Sequence, residues 1–176
     1  MVAVPEPPGS AVPTDPSSRE YRDAVGRFTT GITVVTARSD GFAHGMTANS
    51  FTSVSLDPLL TLVCVERDAV MRKAIDEAGA FAVSVLAGDQ EDLARYFSDP
   101  TRPMGLAQFL PIAWWPGPLT GAPLLDGALA FLELEVEQVY DGGDHLVYLG
   151  GVRWVEQGRD AGPLLYFGGA YRRLDG

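Results

Sequence analysis

From Arg19 to Phe28, the apolar residues Tyr21, Ala24, Val25 and Phe28 recur at intervals of three and four, which predicts a short amphipathic helix opening after the cap candidates Ser17 and Ser18. The period then changes. Gly31 to Ala37 is rich in β-branched residues, Ser39-Asp40-Gly41 is a turn signal, and Ala43 to Phe51 follows, which together predict a hairpin. Leu59 to Val65 is mostly apolar between Asp57-Pro58 and Glu66-Arg67-Asp68, and it predicts a central strand buried on both faces. Asp68 is placed to cap a helix with Met71, Ala74, Ile75 and Ala78 on one side and Gly79 at its end, after which Phe81 to Leu86 returns to strand chemistry. A second short helix is predicted from Asp89, with Leu93, Tyr96 and Phe97 on one face and Asp99-Pro100 closing it.

Residues 98–127 hold six of the thirteen prolines together with Phe109, Trp114 and Trp115, and read as a long loop rather than a regular element. Leu132 to Glu137 then alternates strictly, which sets Glu133, Glu135 and Glu137 on one wet face. Asp141-Gly142-Gly143-Asp144 is a turn and His145 to Val155 the returning strand, with Gly150-Gly151 marking a bulge or a close backbone approach. Leu164 to Phe167 adds a final strand. Six or more strands with only short helices between them lack the βαβ alternation of a Rossmann domain, and no G-x-G-x-x-G follows a strand. The expected fold is mainly β, an antiparallel barrel with short peripheral helices.

A chain of 176 residues fits one domain. Its 23 acidic against 13 basic residues give a formal charge of −10, which argues against nucleic acid as a partner because such binding needs a basic surface to release counterions. Residues 1–18 carry Pro5, Pro7, Pro8, Pro13 and Pro16 and neither Lys nor Arg, so they read as a disordered Pro-rich tail, not a signal peptide, with the working domain at 19–176. The single cysteine excludes an internal disulfide, and no apolar run approaches the roughly 20 residues that cross a bilayer. A cytoplasmic location without a membrane partner is expected.

His44 and His145 stand in no metal-ligand spacing, and Ser50, Ser53 and Ser55 lack the G-x-S-x-G context, so neither a metal site nor a hydrolase is read here. Cys64, in mid-strand, reads as a small buried hydrophobe rather than a reactive thiolate. The stretch from His44 to Pro58 sets short hydroxyl and amide side chains just ahead of the most apolar strand. Two readings stand side by side: a Ser/Thr-rich edge strand, or the rim of a site for a planar, polar-edged ligand.

Gly45-Met46-Thr47-Ala48-Asn49-Ser50-Phe51, followed by Ser53-Val54-Ser55-Leu56-Asp57-Pro58, resembles the signature of the flavin reductase family, small NAD(P)H:flavin oxidoreductases that serve two-component flavin monooxygenases. Gly26 to Thr36, Gly143-Asp144-His145 and the run from Pro163 to Tyr171 match in the same order, so the resemblance spans residues 20–174. It implies an FMN-binding split barrel, a homodimer with flavin near the subunit interface, FMN or FAD as the flavin, and NADH or NADPH as hydride donor. It places the flavin along Thr47, Ala48, Asn49, Ser50 and Phe51 with Ser53 and Val54, its ring edge against the backbone of Val63, Cys64 and Val65. Gly143, Asp144, His145 and Tyr171 fall on the nucleotide side, with His145 orienting the nucleotide. Ala69, Val70 and Met71 stand where many relatives hold the flavin phosphate, which leaves Arg67, Arg72 and Lys73 as the nearby cations. Gly168-Gly169-Ala170 likewise stands where a basic residue is common, leaving Arg172 and Arg173.

Hydride transfer needs nicotinamide and flavin stacked at roughly 3–3.5 Å, with no obligatory acid or base. The reduced flavin is then expected to diffuse to a partner monooxygenase. Two other readings fit the same barrel: a flavin- or haem-binding carrier or sensor, and an oxidoreductase with tightly held FMN and another acceptor.

Overall fold

The computed structural model describes residues 15–174; residues 1–14 of the proposed tail lie outside them. The chain runs through α1 (Ser18–Val25), β1 (Thr30–Gly31), β2 (Thr33–Ser39), β3 (Phe42–Ala48), β4 (Thr52–Leu56), β5 (Leu59–Glu66), α2 (Val70–Ala78), β6 (Ala80–Val85) and α3 (Glu91–Ser98). A 3-10 turn (Gly105–Phe109) follows, then β7 (Trp114–Pro116), β8 (Pro123–Leu125), β9 (Ala130–Gly142), β10 (His145–Gln157), β11 (Leu164–Phe167) and β12 (Ala170–Arg173).

Local chemistry explains most of these boundaries. Ser17 opens α1 through a capping box, accepting the Glu20 N–H on its hydroxyl while its own N–H donates to Glu20 Oε2 at 2.9 Å, so the helix begins inside the segment assigned to the tail. The β2–β3 hairpin turns through Asp40 and Gly41 at φ of 41° and 85°, the left-handed geometry a tight hairpin demands. Gly79 ends α2 at φ 64°, its N–H donating to Ile75 O. Two helix starts differ from expectation. Ala69, not Asp68, is the N-cap of α2, and α3 begins after Gln90 because the Gln90 Oε1 accepts the Ala87 N–H while Asp89 pairs outward with Arg159.

Seven strands form one antiparallel sheet in the order β3-β2-β6-β9-β10-β5-β4, and β1, β11 and β12 form a second. The fold is a mainly β, antiparallel split barrel. Its outer strands β3 and β4 do not pair, and residues 49–51 carry the chain across the split. Val35 faces a core with Met71 and Ile75 of α2, Phe81, Leu134 and Tyr148, whereas Val34 faces the other side with Phe97, Phe109 and Leu125. A Cβ added at Gly150 would lie 2.9 Å from Phe81 Cζ, and the β9–β10 register shifts there, so the glycine marks both a bulge and a close approach.

Three expectations need correction. β5 lies next to the sheet edge, not at its centre, and only Thr61, Val63 and Val65 are buried; its second face is apolar but uncovered within the described chain. Residues 98–127 are not loop throughout, since they contain the 3-10 turn and the β7–β8 ribbon and bury Phe109, Leu124 and Leu125. Glu133 is fully buried, its carboxyl accepting the N–H groups of Leu119 and Thr120 and the Thr120 hydroxyl at 2.6 Å, so the wet face keeps only Glu135 and Glu137, both paired with Arg153. Among the described residues no helix is long and apolar enough to cross a membrane.

Candidate active site

A cleft of about 1600 Å³ opens at the split, far larger than grooves of about 630 and 510 Å³ elsewhere. Asn49, Ser50, Cys64 and Val147 line it from the barrel, and Asp144 and His145 line it from the β9–β10 turn. Facing them are Tyr21, Arg22 and Val25 of α1, Arg27 and Phe28 beyond it, and Tyr166, Phe167 and Arg172 of the β11–β12 hairpin.

Ser50 stands in for a strand. Just beyond the pairing of β4 with β5, its hydroxyl accepts the Cys64 N–H at 3.0 Å and donates to Cys64 O at 3.1 Å. The Cys64 backbone expected to meet a ring edge is therefore already hydrogen-bonded to Ser50. Burial pushes the half-buried Cys64 thiol up, which keeps it neutral. Asn49 is exposed, and its side chain makes no hydrogen bond among the described residues. The Thr30 hydroxyl, in a residue lining the same cleft, is buried without a partner there.

On the opposite rim, Asp144 Oδ1 lies 2.8 Å from His145 Nδ1, and the hydrogen bond to this ring holds the Asp144 carboxyl below its usual range. The turn beneath is locked: Asp141 accepts the Gly143 N–H at 2.9 Å, and Arg67 bonds both Asp141, at 2.6 Å, and Gly143 O.

Six of the residues named from sequence thus share one cleft: Asn49, Ser50, Cys64, Asp144, His145 and Arg172. The others lie outside its lining. Thr47 donates its hydroxyl to Ala94 O at 2.7 Å, tying β3 to α3, while Ala48, Val63 and Val65 are buried in the core and Phe51 packs against it. Ser53 and Val54 are exposed on β4, where its register shifts. Gly143 sits at the turn at φ 82°, Arg67 is held by that turn, and Lys73 is exposed on α2. Tyr171 packs edge-on against the cleft residue Tyr166, with their ring centroids 5.6 Å apart.

Sequence reasoning missed the α1 wall. No residue of α1 is buried, and Tyr21 and Phe28 are 62% and 77% exposed. The three- and four-residue spacing was present, but such spacing does not say whether an apolar face meets a core or a cleft.

This lining suits flat, polar-edged ligands. Four aromatic side chains offer ring faces, Asn49 and the orphaned Thr30 hydroxyl offer hydrogen bonds, and the volume exceeds the roughly 300–1,000 Å³ usual for one small ligand, leaving room for two. Residues 25–175 match the flavin reductase like domain, and the chain belongs to that family, as its motifs had indicated. An NADH-dependent FAD reductase of Streptomyces globisporus is 46% identical over 96% of this chain and 91% of its own. The reductase subunit of a flavin-dependent monooxygenase from Rhodococcus jostii is 36% identical over 89% of this chain and 78% of its own. Among solved structures, BorF, the flavin reductase component of a bacterial two-component tryptophan halogenase, superposes with a TM-score of 0.85 at 46% identity, covering 90% of this chain and 98% of that one.

Proposed function

We propose that this protein is an NADH:flavin oxidoreductase that reduces FAD or FMN and supplies the reduced flavin to a separate flavin-dependent monooxygenase. The observation behind this is the meeting, in one cleft sized for two ligands, of the Asn49–Ser50 segment and the Asp144–His145 turn. Relatives named for NADH-dependent flavin reduction support NADH as donor. Bound flavin supplies the redox chemistry as hydride acceptor. Asn49 offers amide donors and an acceptor to its polar edge, and Ser50, fixed by its two bonds to Cys64, holds that segment against the barrel. Asp144 orients the His145 ring, which in turn positions the nucleotide. Because α1 buries nothing, the cleft lies beneath an exposed wall, which favours exchange of free flavin over a tightly held FMN serving another acceptor.

The test is loss of absorbance at the nicotinamide band. NADH should be oxidised only when FAD or FMN is added, with saturation in free flavin. Folded protein that shows no flavin-dependent rate with NADH or NADPH would refute the assignment, and tight co-purifying flavin with another acceptor would favour the second oxidoreductase reading.

We also propose a homodimer. Leu56 is 82% exposed, and Leu59, 51% exposed, lines a groove with Pro58, Leu60, Tyr140, Leu149 and Val152 across β5, β9 and β10, beside the Glu137–Arg153 ion pair, a surface that a second copy of this chain would cover. Sedimentation should report twice the 18.8 kDa chain mass, and a monomer at micromolar concentration would contradict it.

A further inference from the structure

The chain carries a net charge of −10, so an arginine on its surface has no shortage of carboxylates to meet. Six arginines meet one: Arg19, Arg67, Arg72, Arg95, Arg153 and Arg159 all form ion pairs. Of the cations suggested by sequence, Arg67 and Arg72 are thereby engaged with Asp141 and Asp76, Lys73 and Arg173 do not line the cleft, and Arg172 does. Three arginines that do line it, Arg22, Arg27 and Arg172, enter no ion pair among the described residues. The two carboxylates of the lining already have partners of their own, Asp23 with Arg19 and Asp144 with His145.

These arginines come from the last turn of α1, the segment after it, and β12. One backbone bond brings the segments together, the Gly168 N–H donating to Gly26 O at 2.9 Å, which fastens the β11–β12 turn to the end of α1. At that turn Gly168 and Gly169 take φ of 58° and 78°, and a Cβ on either would meet nothing within 4 Å, so the space beside the arginines is open. Asp144 lies near enough to Arg22 to feel its charge, yet its hydrogen bond goes to His145, so the guanidinium groups lining this cleft keep their donors free of carboxylates, and their planar forks match phosphate oxygens two at a time.

Resting on the reductase reading above, we propose that Arg22, Arg27 and Arg172 form the cradle for the pyrophosphate of a dinucleotide in this cleft. FAD and NADH both carry that group, FMN carries one phosphate, and riboflavin carries none. The cradle therefore ranks the flavins FAD, FMN, riboflavin in falling affinity, and salt weakens the first most.

The experiment compares wild type, the Arg22→Gln/Arg27→Gln/Arg172→Gln triple variant, its three-lysine counterpart and Arg173→Gln, which removes a charge outside the cleft lining. Fluorescence titration gives Kd for FAD, FMN and riboflavin, and steady-state assays with riboflavin as acceptor give KM for NADH. The triple glutamine variant should weaken FAD by about thirtyfold, roughly threefold per exposed arginine, with riboflavin unchanged. The lysine variant should recover part of the loss, and Arg173→Gln should match wild type. If the pyrophosphate belongs to the nicotinamide nucleotide instead, KM for NADH rises while FAD holds. Uniform weakening of all three flavins, or no change in either arm, overturns the cradle. Calorimetric titration of ADP against adenosine reads it without any flavin, so protein that binds no flavin but prefers ADP through these arginines overturns only the reductase reading, and equal binding of ADP and adenosine overturns the cradle alone.

Discussion

Around the 3-10 turn, Gln108 is fully buried and every polar atom of its side chain is engaged: Oε1 accepts the Gly45 N–H at 3.0 Å, and Nε2 donates to Ala43 O and Gly105 O. Across the barrel at the split, Asn49 carries the same functional group exposed and without a partner among the described residues. Arginines divide the same way. Arg102 donates to Asp99 O at 2.6 Å and to Gly45 O, while Arg22, Arg27 and Arg172 line the cleft outside any ion pair among the described residues. On the first side polar side chains replace strand partners that the irregular chain cannot supply, and removing one leaves buried backbone unsatisfied. On the second side the same chemistry is left for a ligand. Changes on the loop side should therefore lower stability and spare binding, and changes in the cleft should do the reverse.

Glu133→Gln should show the largest effect on the loop side, because the amide turns a donor toward the N–H groups of Leu119 and Thr120 and the Thr120 hydroxyl. A loss of about 3 kcal/mol is expected, lowering Tm by about 6 to 12 °C with Kd for flavin unchanged. Calorimetry alongside flavin titration checks both halves, and a shift in affinity without a shift in Tm would break the comparison.

His44 gives the next effect. Burial first, and then the Arg102 charge, lower its pKa from 6.5 to about 4. The unfolded chain binds a proton at pH 6.5 that the folded chain refuses until about pH 4, so the stability is fully present above 6.5 and lost as pH falls through that window. Denaturant melts should show wild type losing about 2 kcal/mol more than His44→Gln between neutral pH and about pH 4.5. Parallel curves would remove His44 from the buried network.

Ser50 lies at the split yet does the work of both regions, since its hydroxyl replaces a strand partner for the Cys64 backbone and its residue lines the cleft. Ser50→Ala should cost about 1.5 kcal/mol of stability and weaken flavin as well. An effect on only one of the two would assign Ser50 to a single region and sharpen the boundary.

The regular parts of this arrangement are legible in the sequence alone. The turn at Asp40-Gly41, the end of α2 at Gly79 and the close approach at Gly150 each follow from a local need that glycine or a short polar residue meets. Coverage was not legible. Alternation placed Glu133 with Glu135 and Glu137, but only the fold brings residues 119 and 120 over the first of them. The same limit hid the uncovered face of β5. Within the site, Asn49 and His145 were readable because each sits in a short contiguous motif, whereas Arg22 and Arg27 reach the cleft through the long-range bond between Gly168 and Gly26.

The most direct test of a shared cleft with a flavin side and a nucleotide side pairs Asn49→Ala with His145→Ala, following flavin fluorescence and stopped-flow reduction in each. Asn49→Ala should weaken flavin about tenfold, or about 1.4 kcal/mol, with KM for NADH near its starting value, and His145→Ala should raise that KM or slow reduction by a similar factor with flavin Kd unmoved. Release of flavin by His145→Ala with unchanged nucleotide kinetics would contradict the division of the cleft.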